Sequence, residues 1–244
     1  MRGFTKTGSF ISSKIGKAIE DYNLIEDGDR ILVGVSGGKD SLTLLKLLRE
    51  RQKWSPAKFE LVAAHIESDL KCGGCVHKDF LTKIFEDTGV RYRFKKIKLF
   101  DKNKKVNCFW CSWNRRKTLF KTAYGLGCNK VALGHHKDDI IETTLLNLFF
   151  QGEISTMNPR QELFNGKIVI IRPLCYVEEK TIRRFAKEIG FLKKIRKSLN
   201  SQDSNRRYLK EFIKDVEKRC PSVKTNIFRS IARVKADYIN LKED

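Results

Sequence analysis

The sequence predicts an α/β fold, a Rossmann-like parallel sheet with helices on both faces, extended by a basic helical C-terminal tail. Three observations carry this. Short apolar runs alternate with segments of helical spacing, as in strand–helix–strand units. A glycine-rich turn, SGGKDS at residues 36–41, directly follows the first apolar run, where such sheets bind ligands. From Phe191 onward the chain becomes highly charged.

The elements follow in order. An amphipathic helix over Phe10–Tyr22 comes first, then the turn residues Asp27-Gly28-Asp29. ILVGV, Ile31–Val35, is a continuous apolar run of the kind buried in a parallel sheet. After SGGKDS, LTLLKLLRER has helical spacing. FELVAAHI, Phe59–Ile66, is the second strand, and a helix over Lys78–Thr88 leads to a third strand at Tyr92–Ile97. The CFWC segment runs into a helix over Arg115–Tyr124. KVALGH, Lys130–His135, is a short strand before a helix over Asp138–Phe150. KIVIIRPL, Lys167–Leu174, is the last strand, and EEKTIRRFAKEIG the helix after it. In the tail, one helix starts at Ser204 and another runs from Pro221, a favoured first helical residue, towards Ile239. Residues 1–190 are expected to form one domain, and 191–244 a basic helical extension of it.

Composition narrows the function. The chain has 244 residues, 41% of them apolar, enough for a sizeable core. It carries no run of about 20 apolar residues that would span a membrane, and the basic start MRGFTKTGSFISSK lacks an apolar secretory segment. A cytoplasmic protein is expected. Lysine and arginine number 50 against 29 acids, a net charge of +21. Such an excess suits a polyanionic partner, nucleic acid above all. Seven cysteines without a secretory segment point to metal binding or catalysis and not to structural disulfides.

In SGGKDS, Gly37 and Gly38 let the backbone approach an anion that the first amides and dipole of the following helix then hold. Ser36 and Ser41 add hydroxyls and Lys39 a positive charge. The pattern GxxxxGK[ST] of ordinary P-loop NTPases is absent. LGHHKDDIIETTLLNLFF, Leu133–Phe150, places Asp138 and Asp139 in a first helical turn, where acids suit the dipole. With His135 and His136 beside them, these carboxylates suit Mg²⁺ bridging ATP phosphates. Cys108 and Cys111 in NCFWCSWNRRKTL have a spacing that serves a zinc site, an iron–sulfur cluster or a redox dithiol. KCGGC adds a second pair, Cys72 and Cys75.

SGGKDS with its flanking strand and helix resembles the pyrophosphate loop of the N-type ATP pyrophosphatase (PP-loop) superfamily. GHHKDDIIET and CFWCSWNRR together resemble the TtcA-like tRNA thiolation enzymes within it, and the resemblance extends over most of the chain. It implies an adenine nucleotide alpha hydrolase-like fold and an ATP-dependent tRNA sulfurtransferase that adenylates a tRNA pyrimidine, cytidine by family default. Lysidine synthetase-like ligation, 2-thiouridine synthesis and a zinc-stabilised tRNA-binding scaffold are the alternatives. Lys39 and a chain without room for extra C-terminal domains favour the thiolating branch. The resemblance places ATP on Ser36, Gly37, Gly38, Lys39, Asp40 and Ser41, with His65, Gly134 and His135 beside the nucleotide. Asp40, Asp138 and Asp139 would organise Mg²⁺ or the reacting groups. It implies a [4Fe-4S] cluster on Cys108, Cys111 and a third cysteine. The family has that third cysteine where this chain has Val177, so Cys175 is the nearest candidate, two residues away on the expected strand and hence on the same face. For Cys72 and Cys75, half of a Zn²⁺ site, a persulfide-carrying dithiol and replacement of the third ligand all stay open. The implied partners are tRNA near its anticodon loop, a sulfur donor such as a cysteine desulfurase or free sulfide, and a second copy of the chain. Phe109, Trp110 and Trp113 suit stacking on a base or shielding the cluster.

Overall fold

A computed structural model of the chain describes residues 5–69, 78–98, 108–191 and 204–238. Its strands are β1 (Arg30–Gly34), β2 (Glu60–Ser68), β3 (Arg91–Ile97), β4 (Lys130–Ala132), β5 (Arg160–Leu163) and β6 (Ile168–Ile171). They form one six-stranded sheet in the order β3-β2-β1-β4-β6-β5. Every pairing is parallel except β5 with β6, an antiparallel hairpin at one edge. Polar RQEL of β5 shows no apolar run, so the sequence hid this strand. At the opposite edge β3 carries arginine and lysine along RYRFKKI, which discourages pairing with another edge.

The helices are α1 (Lys6–Tyr22), α2 (Lys39–Gln52), α3 (Lys78–Thr88), α4 (Cys108–Gly125), α5 (Lys137–Phe150), α6 (Glu179–Glu188), α7 (Ser204–Arg219) and α8 (Val223–Ser230). On one sheet face Leu32, Val62, Ala64, Ile66, Val131 and Ile170 pack with Leu119, Phe120 and Ala123 of α4. Alternate residues such as Ile31 and Val33 are equally buried and point to the other face. There α2 meets β1, and α1 and α6 pack with α2.

Several boundaries differ from the expected ones, among them the strand expected over Lys130–His135, which ends at Ala132. The first helix begins at Lys6 because Thr5 caps it, its side chain accepting the Gly8 N–H at 3.1 Å. The helix expected from Arg115 begins at Cys108, so both CxxC positions are helical. The strand expected to reach Leu174 ends at Ile171, since Pro173 has no N–H for a ladder. The last helix stops at Ser230 and not near Ile239.

The chain forms two compact units. The first, Met1–His136 with Asn158–Ser201, holds the sheet; the second, Lys137–Met157 with Gln202–Asp244, holds α5, α7 and α8. In the second unit the tail shares a core with α5. Ile141 and Leu145 of α5 pack on Leu209 and Ile213 of α7, with Ile227 and Phe228 of α8 against them. Glu142, 3% exposed, receives Arg206 and Lys210 of α7, each at 3.5 Å. Among the described residues no helix is long and apolar enough to cross a membrane.

Within the first unit a buried ion cluster joins the turn before β1 to the start of β4. Lys130, 2% exposed, places Nζ 2.8 Å from Glu26 and 2.7 Å from Asp29. Asp29 also accepts from the Glu26 N–H at 2.6 Å and the Asn129 amide at 2.7 Å. Removing the cation leaves Asp29 buried without its counter-charge. Lys130→Met is therefore expected to lower stability by about 3–5 kcal/mol. Urea denaturation checks this, and an unchanged midpoint would show that the cluster contributes nothing net.

Candidate active site

Strand order reverses at β1, with β2 on one side and β4 on the other. Beyond the carboxyl ends of strands at such a switch point a crevice opens. Here it is a cleft of about 230 Å³ lined by Val35 and Ser36 after β1, Ala64 and Ile66 of β2, Ser112, Arg115 and Arg116 of α4, and Leu133 and His135 after β4.

Ser36 brings the SGGKDS loop to the cleft, and the loop is held by its own hydroxyls. Ser41 Oγ donates to the Gly38 carbonyl at 3.0 Å and accepts the Ser36 N–H at 3.2 Å. Ser36 Oγ accepts the Gly38 N–H at 3.3 Å. Gly37 sits at φ +89°, a conformation that favours glycine. Gly38 caps α2 without a side-chain bond, so the first amides of α2 have no intrahelical acceptor and suit an anion. Gly134 lets the end of β4 close on this turn. A Cβ there would lie 2.9 Å from the Ser41 nitrogen and 3.0 Å from the Asp40 carbonyl carbon.

Lys39 is held by two carboxylates, Asp40 at 3.0 Å and Glu179 at the start of α6, also at 3.0 Å. Burial works against its ammonium, but Asp40 and Glu179 outweigh it and keep its pKa above the ordinary value. Glu179 was not anticipated as a site residue; its place in EEK at a helix start was the available signal.

His135 lines the cleft and its Nδ1 faces Arg172 Nε at 3.3 Å. That makes Nδ1 the acceptor and leaves Nε2 to carry the proton. Arg172 also donates to the Asn158 carbonyl and, at 3.3 Å, to Gln161. Burial, with the like charge of Arg116 added, lowers the Arg172 pKa to about 10. An anion between these guanidinium groups would relieve the repulsion. Arg115 reaches Ser68 Oγ at 3.0 Å, while its Nε is buried with no protein acceptor. Arg115 and Arg116 thus give the cleft a positive wall, with Arg172 bonded to its His135.

His136 is buried with Nε2 3.8 Å from Asp40. His65 lies between the cleft-lining Ala64 and Ile66 and so points to the opposite sheet face, where its ring meets Phe94 edge-on at 6.0 Å. Its Nδ1 is 2.7 Å from the Val35 carbonyl, and burial lowers its pKa. His65 therefore supports the end of β1 and does not line the cleft. In the second unit, Asp138 in the first turn of α5 meets Lys224 of α8 at 3.2 Å, and Asp139 follows it half-buried.

Cys111 lies in the first turn of α4, buried, with Sγ 3.8 Å from Ser68 Oγ at the carboxyl end of β2. Cys108 is the first residue of α4, but its side chain, like Cys72 and Cys75, lies outside the described residues. Cys175 is not on a strand: its N–H turns back to the Arg172 carbonyl at 3.0 Å, and that of Val177 to Leu174 at 2.8 Å. The two-residue alternation that put Cys175 and Val177 on one face therefore does not apply. Cys175 is fully buried, and burial pushes its thiol up to about 12. Among the described residues no three metal-ligating side chains gather. Cys111 fits a cluster, whereas Cys175 is a protonated thiol in this arrangement.

Comparison with known proteins agrees with this geometry. Residues 9–216 match the family described as PP-loop domain. The tRNA-cytidine(32) 2-sulfurtransferase of Delftia acidovorans is 40% identical over 233 residues, 93% of this chain and 74% of that protein. Its counterpart in Geobacter sulfurreducens is 38% identical over 237 residues, 94% and 91% of the two chains. Among solved structures, the U34-tRNA thiolase NcsA from Methanococcus maripaludis, with its [4Fe-4S] cluster, has a TM-score of 0.75 at 23% identity. The match covers 96% of this chain and 80% of that one, and it establishes a shared fold.

Proposed function

The chain belongs to the PP-loop family, among the tRNA-cytidine(32) 2-sulfurtransferases, and from that premise we propose an ATP-dependent tRNA sulfurtransferase that converts a tRNA cytidine to 2-thiocytidine. One observation carries the assignment. The helix that bears Cys108 and Cys111 in its first turn also puts Ser112, Arg115 and Arg116 into the cleft walled by the SGGKDS loop. Oxygen activation and sulfur delivery therefore share one site.

ATP seats its phosphates on the amides of α2 and on Lys39, and the arginine wall accepts the remaining negative charge. The 2-carbonyl oxygen of the base attacks the α-phosphorus, and the bond to pyrophosphate breaks. Lys39 and the helix amides stabilise charge on the departing pyrophosphate. Glu179 holds the Lys39 ammonium in place for this. The adenylated oxygen then leaves as AMP when sulfur bonds to the ring carbon. Mg²⁺ on Asp40, Asp138 or Asp139 would neutralise the ATP phosphates; Asp138 would exchange Lys224 for it. A [4Fe-4S] cluster held by Cys108, Cys111 and a third thiol would supply the sulfur. Cys175 takes the third place only if its buried turn opens; Cys72 or Cys75 is the other source, and a zinc role for that pair is the remaining reading. The partners are tRNA near its anticodon loop and a donor such as a cysteine desulfurase or free sulfide, in the cytoplasm, with the chain acting as a homodimer.

Two measurements test this. Anaerobically prepared protein should release pyrophosphate only with tRNA present, and the tRNA should gain 2-thiocytidine by mass spectrometry; a cluster-loaded sample that does neither sinks the proposal. Iron and sulfide analysis of Cys175→Ala, Cys72→Ala and Cys75→Ala should show one variant or pair losing the cluster. That result names the third ligand, while zinc without iron would remove the cluster from the scheme.

A further inference from the structure

A second concavity lies on the neighbouring face of α4. It measures about 590 Å³ and is formed by α4 and the β5–β6 hairpin. Its floor is apolar, from Phe120 and Ile168, and exposed aromatic rings of Trp113, Tyr124 and Phe164 stand around it. Phe164 meets Phe120 edge-on at 6.0 Å, and Trp113 is backed by Trp110 in a stacked pair 5.5 Å apart. Arg116, Lys117, Lys121 and Lys167 complete the lining, and no acid is part of it. Lys117 Nζ already sits 4.9 Å above the Trp113 ring.

The hairpin turn adds a second, independent observation. Phe164 occupies φ +55° and is 60% exposed. A bulky aromatic in the left-handed region is strained, and glycine or asparagine would relax it. Held there, its ring projects at the groove instead of burying in the core.

We propose that this groove is an RNA-docking surface, at which an unpaired base of the tRNA substrate stacks among Trp113, Tyr124 and Phe164 while flanking phosphates meet the four cations. The inference rests on the tRNA reading of the cleft and adds to it a binding site separate from the reacting base. Flat rings joined to cations without acids are the chemistry that binds single-stranded nucleic acid. A second copy of this chain is the wrong occupant, since a two-fold contact would set the same four cations against themselves. Arg116 lines both the groove and the cleft, so RNA held in one is continuous with the other.

The test uses the full chain carrying Phe164→Gly and Tyr124→Ala. Glycine suits the backbone at 164 and Tyr124 is solvent-exposed, so the variant should fold and bind ATP as the parent does. Affinity is measured for a tRNA transcript, for its anticodon stem–loop, and for a fully paired RNA duplex of equal length. Binding of the first two should weaken roughly tenfold or more, as expected for lost base–aromatic stacking, with duplex binding unchanged. Equal binding of tRNA by parent and variant overturns the groove proposal and leaves the tRNA reading standing. Failure of the parent to bind tRNA overturns both. A change in the sedimentation of the RNA-free variant assigns the groove to contact between copies and overturns the RNA assignment.

Discussion

Cys111→Ala is expected to reduce 2-thiocytidine formation by on the order of a thousandfold or more, as loss of a group in the reacting assembly does, while tRNA-dependent pyrophosphate release continues. The separation follows from the layout of α4. The thiol occupies the first turn, next to Ser68, and the groups that line the cleft, Ser112, Arg115 and Arg116, come afterwards. Truncation to alanine removes one sulfur from a buried position and touches no residue of the SGGKDS loop. Parallel assays of pyrophosphate release and thiolated nucleoside read the two steps separately. Undiminished thiolation would remove Cys111 from the chemistry, and equal loss of both products would show that adenylation depends on the thiol site.

Gly134→Ala is expected to weaken ATP binding by on the order of a hundredfold, the cost of moving a binding group by about an ångström. The new methyl would fall within 3.1 Å of three backbone atoms of Asp40 and Ser41, none of which can rotate away as a side chain would. Either the start of α2 or the end of β4 must shift, and the loop amides lose their common aim. Gly125→Ala, at the end of α4 with nothing within 4 Å, is the matched control and should bind ATP normally. Calorimetric titration with ATP compares them; equal affinities would show that the turn absorbs the methyl without cost. Close packing of Gly134 on the Asp40 and Ser41 backbone is the physical reason for the expected loss.

The alternating strands and helices were legible because each buried strand is an apolar run and each helix carries its own periodicity. SGGKDS was legible for a similar reason, since its glycines and hydroxyls do their work within six residues. The sheet face that His65 takes was not legible, because a strand-end position says nothing about faces until the helix packed on one of them is known. The turn that holds Cys175 was not legible, because its strand ends at Ile171 and the consequence of Pro173 for the next turn outweighs the apolar pattern. Glu179, Arg172 and the hairpin strand β5 gave weak signals because each acts through a partner distant in sequence.

The sequence by itself therefore determined the fold class, the glycine-rich loop, the paired cysteines and the excess of positive charge, all encoded in contiguous residues whose local conformation follows from composition. The tertiary structure alone decided which arginines wall the cleft, that Glu179 holds Lys39, that Gly134 packs against the Ser41 backbone, and that Phe164 closes a groove on α4. Those relations join segments tens of residues apart, and only chain crossing and close packing bring their atoms within reach of one another.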